Sequence, residues 1–303
     1  WILLKKESML SGSGIPEMEG EFMGFLDQSW DRVLCAKMMG GILCMCGGLS
    51  LGREGPSIQL GGMAGKGISK ALKRNGTEEH HLITCGTCAG LSAAFNAPLA
   101  GVLFAVEEIH KSFSVAILFS AMTASVTADF LSKYVFGLEP VFHFPVDSFI
   151  PLKQYWMILL LGLILGIFGV FYNRCTMAAQ SLYIKLFPKR TFLRILTPFM
   201  IAVILGFNLP QVLGGGHYMI DLLTEGNLAL SFILILLSAK FLFTLISFGS
   251  GAPGGIFFPL LVLGAFIGGA FGLTAIELWN VDPALMNNFI ILSMAGFFTA
   301  IVR

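Results

Sequence analysis

Long apolar stretches alternate with short polar breaks along almost the whole chain. They predict helices at 1–10, 16–26, 31–50, 56–73, 79–95, 98–111, 114–136, 155–186, 192–207, 217–224, 228–247, 256–277 and 287–302. Several of these are shorter than the roughly 20 residues that a bilayer crossing needs. Short helices broken by Gly and Pro persist at membrane depth only where they are buried in protein or line a cavity. The pattern therefore predicts an all-α, polytopic membrane protein containing tilted and re-entrant helices.

Composition sharpens this reading. Of 303 residues, 55% are hydrophobic and 12% are charged, about half the charge fraction of a soluble domain. The net charge of +1 leaves no footprint for nucleic acid. The 36 glycines suit close helix–helix approach in lipid. No enzyme chemistry, metal site or cofactor is expected. The chain opens at Trp1 inside an apolar pattern, shows no signal peptide and ends at Arg303 directly after an apolar run. It reads as an internal piece of a longer protein.

Six cysteines are present, with Cys44-Met45-Cys46 and Cys85-x-x-Cys88 as close pairs. A CxxC can be redox-active or half of a metal site. Both pairs sit in Gly/Ala/Met-rich apolar helices with no nearby partner ligands, so they read as small packing residues.

The chain echoes itself. Gly55-Pro56-Ser57-Ile58-Gln59-Leu60-Gly61 resembles Phe258-Pro259-Leu260-Leu261-Val262-Leu263-Gly264, at an offset of 203 residues. Ala89-Gly90-Leu91-Ser92-Ala93-Ala94-Phe95 resembles Ala295-Gly296-Phe297-Phe298-Thr299-Ala300-Ile301, at an offset of 206. Two echoes in one register suggest duplicated halves, a common transporter plan. The division expected is 1–136, an external linker at 137–154, and 155–303. Unmatched helices in each half imply about 50 residues absent in front and about 40 or more behind.

Charge supplies orientation. Lys66, Lys70, Lys73 and Arg74 follow one helix, Lys185, Lys189, Arg190 and Arg194 follow another, and Lys111 sits in a third connection. The loop at 137–153 has Glu139 and Asp147 against Lys153. The positive-inside rule makes the first three cytoplasmic and the last external.

Four stretches carry candidate chemistry. Glu54 lies in Gly52-Arg53-Glu54-Gly55-Pro56, with apolar sequence on both sides. A carboxylate at membrane depth is costly and marks a functional site. Pro56 suits the first residue of a helix, which puts Glu54 just ahead of an N-terminus that favours anions. Such a carboxylate can be displaced by another anion, or can leave when protonated. The alternative is a structural carboxylate serving Arg53, although adjacent turn residues pair poorly.

In Gly12-Ser13-Gly14-Ile15-Pro16-Glu17, Ser13 offers a hydroxyl ahead of a proline-started helix. A hydroxyl and outward-pointing N–H groups hold an anion weakly enough to release it. The alternative is an ordinary Ser cap and a tight Gly turn. In Gly249-Ser250-Gly251-Ala252-Pro253-Gly254-Gly255-Ile256-Phe257-Phe258-Pro259, exposed backbone leads into an apolar helix. The Ile256 and Phe257 N–H groups would face an anion, while their side chains keep it dry. A flexible loop is the alternative. Finally, Ala97-Pro98-Leu99-Ala100-Gly101 runs into Val106-Glu107-Glu108-Ile109. Two carboxylates at a helix C-terminus face an unfavourable dipole that favours their protonated form. That suits a proton relay; a solvated helix end is the alternative.

GSGIPE, GREGP and the stretch Gly255-Ile256-Phe257-Phe258-Pro259 resemble the three signature stretches of the CLC chloride channel and transporter family. Ala94-Phe95-Asn96-Ala97-Pro98-Leu99-Ala100-Gly101 is similar to its typical sequence, and the order is kept through the whole chain. The resemblance implies a CLC-like inverted repeat, truncated here at both ends, and a homodimer with one anion pore per subunit in a bacterial-type inner or plasma membrane. It implies chloride bound by Ser13, Gly14 and the N–H groups of Ile256 and Phe257, with Gly12, Pro16, Arg53, Gly55, Pro56, Gly255 and Pro259 as supporting motif residues. Glu54 would be the external gate. Glu108 would be the internal proton-transfer acid, with Glu107 as a second candidate. The resemblance also implies that the family's central Tyr ligand would lie in a late helix beyond Arg303; none of Tyr134, Tyr155, Tyr172, Tyr183 or Tyr218 sits in a matching motif. The function expected is chloride/proton antiport, with chloride and protons as substrates. The alternatives are a passive, proton-gated or voltage-type chloride channel and a non-transporting membrane subunit.

Overall fold

The structure is a computed structural model that describes residues 1–74, 76–111, 113–138, 142, 144–146, 148–188, 190–224 and 228–302. Glu139, Asp147 and Lys189, used above for orientation, lie outside the described residues, as does Arg303. Among the described residues there is no β-strand, and helices follow one another throughout.

The helices are α1 (Ile2–Lys6), α2 (Ile15–Phe22), α3 (Trp30–Cys46), α4 (Glu54–Ala71), α5 (Thr77–Phe95), α6 (Pro98–Phe104), α7 (Val115–Phe136), α8 (Tyr155–Leu186), α9 (Thr191–Asn208), α10 (His217–Thr224), α11 (Leu230–Gly249), α12 (Phe257–Trp279) and α13 (Met286–Ile301). Every expected helix has a counterpart, but several ends differ for physical reasons, and the second stops at Phe22 instead of 26, shortly before Gly24 takes positive φ. The first breaks at Glu7, whose extended backbone and side chain, accepting from Met9 N–H at 3.4 Å, restart the chain as a 3-10 turn. The third stops at Cys46, shortly before Gly48 takes positive φ. The fourth begins at Glu54 rather than Pro56, because a proline is tolerated anywhere in the first turn, where its missing N–H has no partner to lose. The sixth widens from Ala105 to His110 into a π turn, closed by Lys111 in the left-handed region.

Among the described residues, six helices are long and apolar enough to cross a membrane. Their large side chains face outward in numbers that water would not tolerate, Phe119, Leu159 and Phe207 among them. The chain is a multi-pass integral membrane protein. In α8, 32 residues give a length of about 48 Å, more than the roughly 30 Å hydrocarbon core.

Two compact units are present. The first comprises Trp1–Cys44, Gly52–Phe142 and Ala252–Gly255; the second comprises Met45–Leu51, His143–Gly251 and Ile256–Arg303. Each sequence half therefore gives a short segment to the other unit.

The first unit is built on α4 against α5, with α7 and α6 packed on α5 and α2 on α4. Gly61 on α4 faces Gly86 and Gly90 on α5, and Gly65 faces Leu82. A Cβ on Gly61 would overlap the Gly86 carbonyl, one on Gly86 the Gly61 carbonyl, and one on Gly90 the Ser57 carbonyl. Both helices thus use small residues four apart to bring their backbones together. Met18, Val33, Ile58, Met63, Ile83, Leu91 and Ile109 fill the space beneath.

The second unit is built on α12, the most buried of the six spans, with α13, α11, α10 and α8 around it. Its close crossing repeats the same device. Gly264 and Gly268 stand 203 residues after Gly61 and Gly65, and their Cβ atoms would lie 2.8 Å from the Ser293 carbonyl and 2.6 Å from the Phe289 carbonyl of α13.

Candidate anion site

Within the first unit, three glycine-rich stretches meet through their backbones. Gly12 and Gly14 take φ of +71° and +95°, values that a side chain would strain, and turn the chain into α2. The Ser13 hydroxyl accepts from the Ile15 N–H at 3.3 Å. The Gly254 N–H donates to the Gly12 carbonyl at 3.0 Å. Gly52 and Gly255 exchange both backbone hydrogen bonds, at 2.6 and 2.8 Å. The Ser13, Glu54 and Gly255 motifs are therefore one backbone-bonded assembly.

Glu54 is the first residue of α4 and 1% exposed. It begins the helix instead of preceding it, so its carboxylate belongs to the positively polarised first turn. Gly55 brings this turn against Ser13: a Cβ there would stand 2.7 Å from the Ser13 carbonyl oxygen and 2.9 Å from its Cβ. Arg53 directs its guanidinium to the Ala94 carbonyl at the end of α5, at 3.2 Å. Pro56 is buried in the same first turn, while Pro16 stands exposed in the first turn of α2.

A side chain that sequence reasoning missed holds the assembly from beneath. Lys37, fully buried on α3, donates to the carbonyls of Leu10 at 3.0 Å and Gly12 at 2.8 Å. A lysine in an apolar helix is itself the signal for such a role. Gln59 on α4 packs over Gly14 and donates to the Met9 carbonyl at 3.2 Å and the Gln28 side chain at 2.8 Å. The Gln28 backbone N–H donates to Glu21 at 2.7 Å, and Lys66 pairs with Glu21 and with Asp27. Polar side chains thus fix the turn on two sides.

Within the second unit, Ile256 caps α12 and Phe257 begins it, the first bond of the helix running from Leu260 N–H to the Ile256 carbonyl. N–H groups at such a start point away from the helix body. Phe257 packs on Phe298 at 4.0 Å and Phe258 stacks on His217 at 3.9 Å, while Pro259 is buried. Lys240, fully buried on α11, donates to the carbonyls of Val212 at 2.9 Å and Gly214 at 2.7 Å, ahead of α10. It follows Lys37 by 203 residues and does the same thing.

The family model for voltage gated chloride channels matches residues 1–303. The chain belongs to the voltage gated chloride channel family. It is 38% identical to the H(+)/Cl(-) exchange transporter ClcA of Vibrio cholerae serotype O1 (strain M66-2), covering 97% of this chain and 64% of that protein. It is 37% identical to the ClcA of Vibrio vulnificus (strain YJ016), with the same coverage. Its fold matches a slow cyanobacterial Cl-/H+ antiporter with a TM-score of 0.87 and 29% identity, over 100% of this chain and 76% of that one. A CLC-type fluoride/proton antiporter shares the fold, with a TM-score of 0.80 and 24% identity, over 99% and 73% of the two chains. The chain spans 64% of the length of the curated relatives it matches.

Two further sequence-expected residues of this family member lie elsewhere in the first unit. Glu107 and Glu108 are exposed in the π turn that ends the α6 segment. Local widening of this kind is frequent at functional sites. Lys111, next along, forms an ion pair with Glu19 of α2. The six cysteines are all free thiols, with Cys44 and Cys88 buried and Cys35 and Cys46 exposed.

Proposed function

We propose that the complete protein is a chloride/proton antiporter and works as a homodimer in a bacterial inner membrane. In this reading Ser13, Gly14 and the N–H groups of Ile256 and Phe257 bind chloride. Glu54 is the gate: as a carboxylate it occupies an anion position, and when protonated it withdraws. Glu108 exchanges protons with the cytosol, with Glu107 as the second candidate. The 203-residue echo supports two repeat halves, 1–136 and 155–303, joined by an external linker.

One observation carries the reading. A fully buried carboxylate begins a helix whose first turn is pressed by Gly55 against the Ser13 turn. Two anion-favouring elements and a titratable anion share one place, which is what exchange of chloride for a proton requires. The exposed acids at the other end of the α6 segment supply a cytosolic entry for the proton.

The test uses full-length protein in liposomes. A chloride gradient should drive measurable proton movement, and Glu54→Gln should keep chloride flux while abolishing that movement. Chloride flux without protons in the unmodified protein would instead establish a passive channel. Proton pumping by the variant would remove Glu54 as the gate.

A further inference from the structure

Three of the protein's five histidines gather at one place. Phe22, the last residue of α2, lies 4.6 Å from the ring of His80 and 4.9 Å from that of His110. The rings of His81 and His110 are 5.8 Å apart, and Thr84 hydroxyl bonds His110 Nδ1 at 3.0 Å. His80 and His81 come from the start of α5, and His110 closes the π turn that holds Glu107 and Glu108. The chloride and proton roles proposed above use none of these rings.

The lever they touch is short and stiff. Helix α2 has eight residues, roughly 11 Å end to end. One end carries the Ser13 turn; the other carries Phe22. We infer that His80, His81 and His110 form a cytosolic proton sensor that acts through Phe22 and α2 on the Ser13 turn.

The surroundings of His110 favour its neutral ring. His110 titrates below the usual histidine value because burial disfavours its charged form and because His81 and His80 lie beside it. Carboxylates on the packed elements near Phe22 are already engaged: Glu19 with Lys111, Glu21 with Lys66, Glu79 with Lys70 and Glu78 with Arg74; Glu17 lies in the first turn of α2, at the opposite end from Phe22. Glu107 and Glu108 are exposed, and α6 brings no charged group. Acidification therefore puts like charges on the His80 and His110 rings that flank Phe22, and on His81 beside His110. Their repulsion loosens Phe22 and releases the far end of α2. Glu54 protonation acts the other way, because it vacates an anion position.

The consequence for chloride rests on the Ser13 reading, whereas the motion of α2 does not. Two measurements on full-length protein in detergent separate them. Hydrogen exchange of residues 12–22, corrected for intrinsic rate, should speed up between pH 7.5 and 5.5. Chloride affinity, measured by calorimetry, should fall about fivefold over that range, a typical coupling factor. The triple variant His80→Gln/His81→Gln/His110→Gln should flatten both profiles and leave pH 7.5 values unchanged. Phe22→Leu keeps the histidines and should flatten both as well. If exchange in α2 responds to pH equally in the unmodified protein and both variants, the sensor is overturned. If α2 responds as expected but chloride never binds, the sensor stands and the transport reading falls.

Discussion

The ammonium group of Lys37 lies 2.8 Å from the carbonyl oxygen of Gly12, the residue that begins the Ser13 turn. Its second bond, to Leu10, fixes the chain two residues earlier. Lys37→Met keeps the stem of the side chain and removes both donors. The buried Leu10 carbonyl is then left without its donor, at a cost of about 1–3 kcal/mol, whereas the Gly12 carbonyl keeps the Gly254 N–H, so the variant should be less stable and its turn less ordered. Thermal unfolding in detergent should shift several degrees downward, and chloride affinity should fall with it. An unchanged melting curve would show that the Leu10 carbonyl finds another donor.

Gly55→Ala tests the approach of α4 to Ser13. The added methyl would meet backbone and Cβ atoms of Ser13 at 2.7–2.9 Å, and backbone yields less readily than a side-chain tip. Overpacking of this size costs about 1–3 kcal/mol. The first turn of α4 and the Ser13 turn should separate by a few tenths of an ångström. Chloride binding by calorimetry should weaken about tenfold, while the helix content by circular dichroism stays the same. Gly24→Ala is a control of another kind: Gly24, unlike Gly55, has positive φ, and nothing lies near its Cβ position. Strain alone should therefore leave chloride affinity untouched there.

The contrast between these residues and Glu54 shows what a linear sequence reveals. Glu54, Ser13 and the glycine-rich lead into α12 are marked locally, by Gly and Pro punctuation beside apolar runs. Helix positions follow from the same local pattern, and the resemblance to the family is carried by those motifs. Lys37 and Lys240 are visible as lysines in apolar helices, but their partners lie 25 to 28 residues away, a reach that periodicity does not encode. The passage of Met45–Leu51 and Ala252–Gly255 between units is likewise non-local. The π turn at Ala105–His110 escaped because its residues are ordinary helix formers. Its widening is set by packing on α5 and by the left-handed Lys111 stop.

The crossing of α4 and α5 should be intolerant of volume. Gly86 and Gly61 approach so closely that neither accepts a Cβ without moving the other's carbonyl. Gly86→Leu should prevent correct packing of the first unit, read as loss of a monodisperse peak on size exclusion. Gly162→Leu, at a position with open space around its Cβ, should leave the peak intact. Equal behaviour of the two variants would mean that the close crossing is not needed for assembly.

Glu108→Gln isolates the proton arm of the proposed exchange. Both Glu108 and Glu107 are exposed in the π turn, so the amide replaces a solvated acid and removes little packing; stability should change by less than about 0.5 kcal/mol. The Ser13 turn and Glu54 are unchanged in this variant. Chloride flux in liposomes should persist, whereas proton movement driven by a chloride gradient should fall to background. Glu107→Gln should leave proton movement near the unmodified level. A reversed pattern would assign the relay to Glu107, and full proton coupling in the double variant would move it away from this turn altogether.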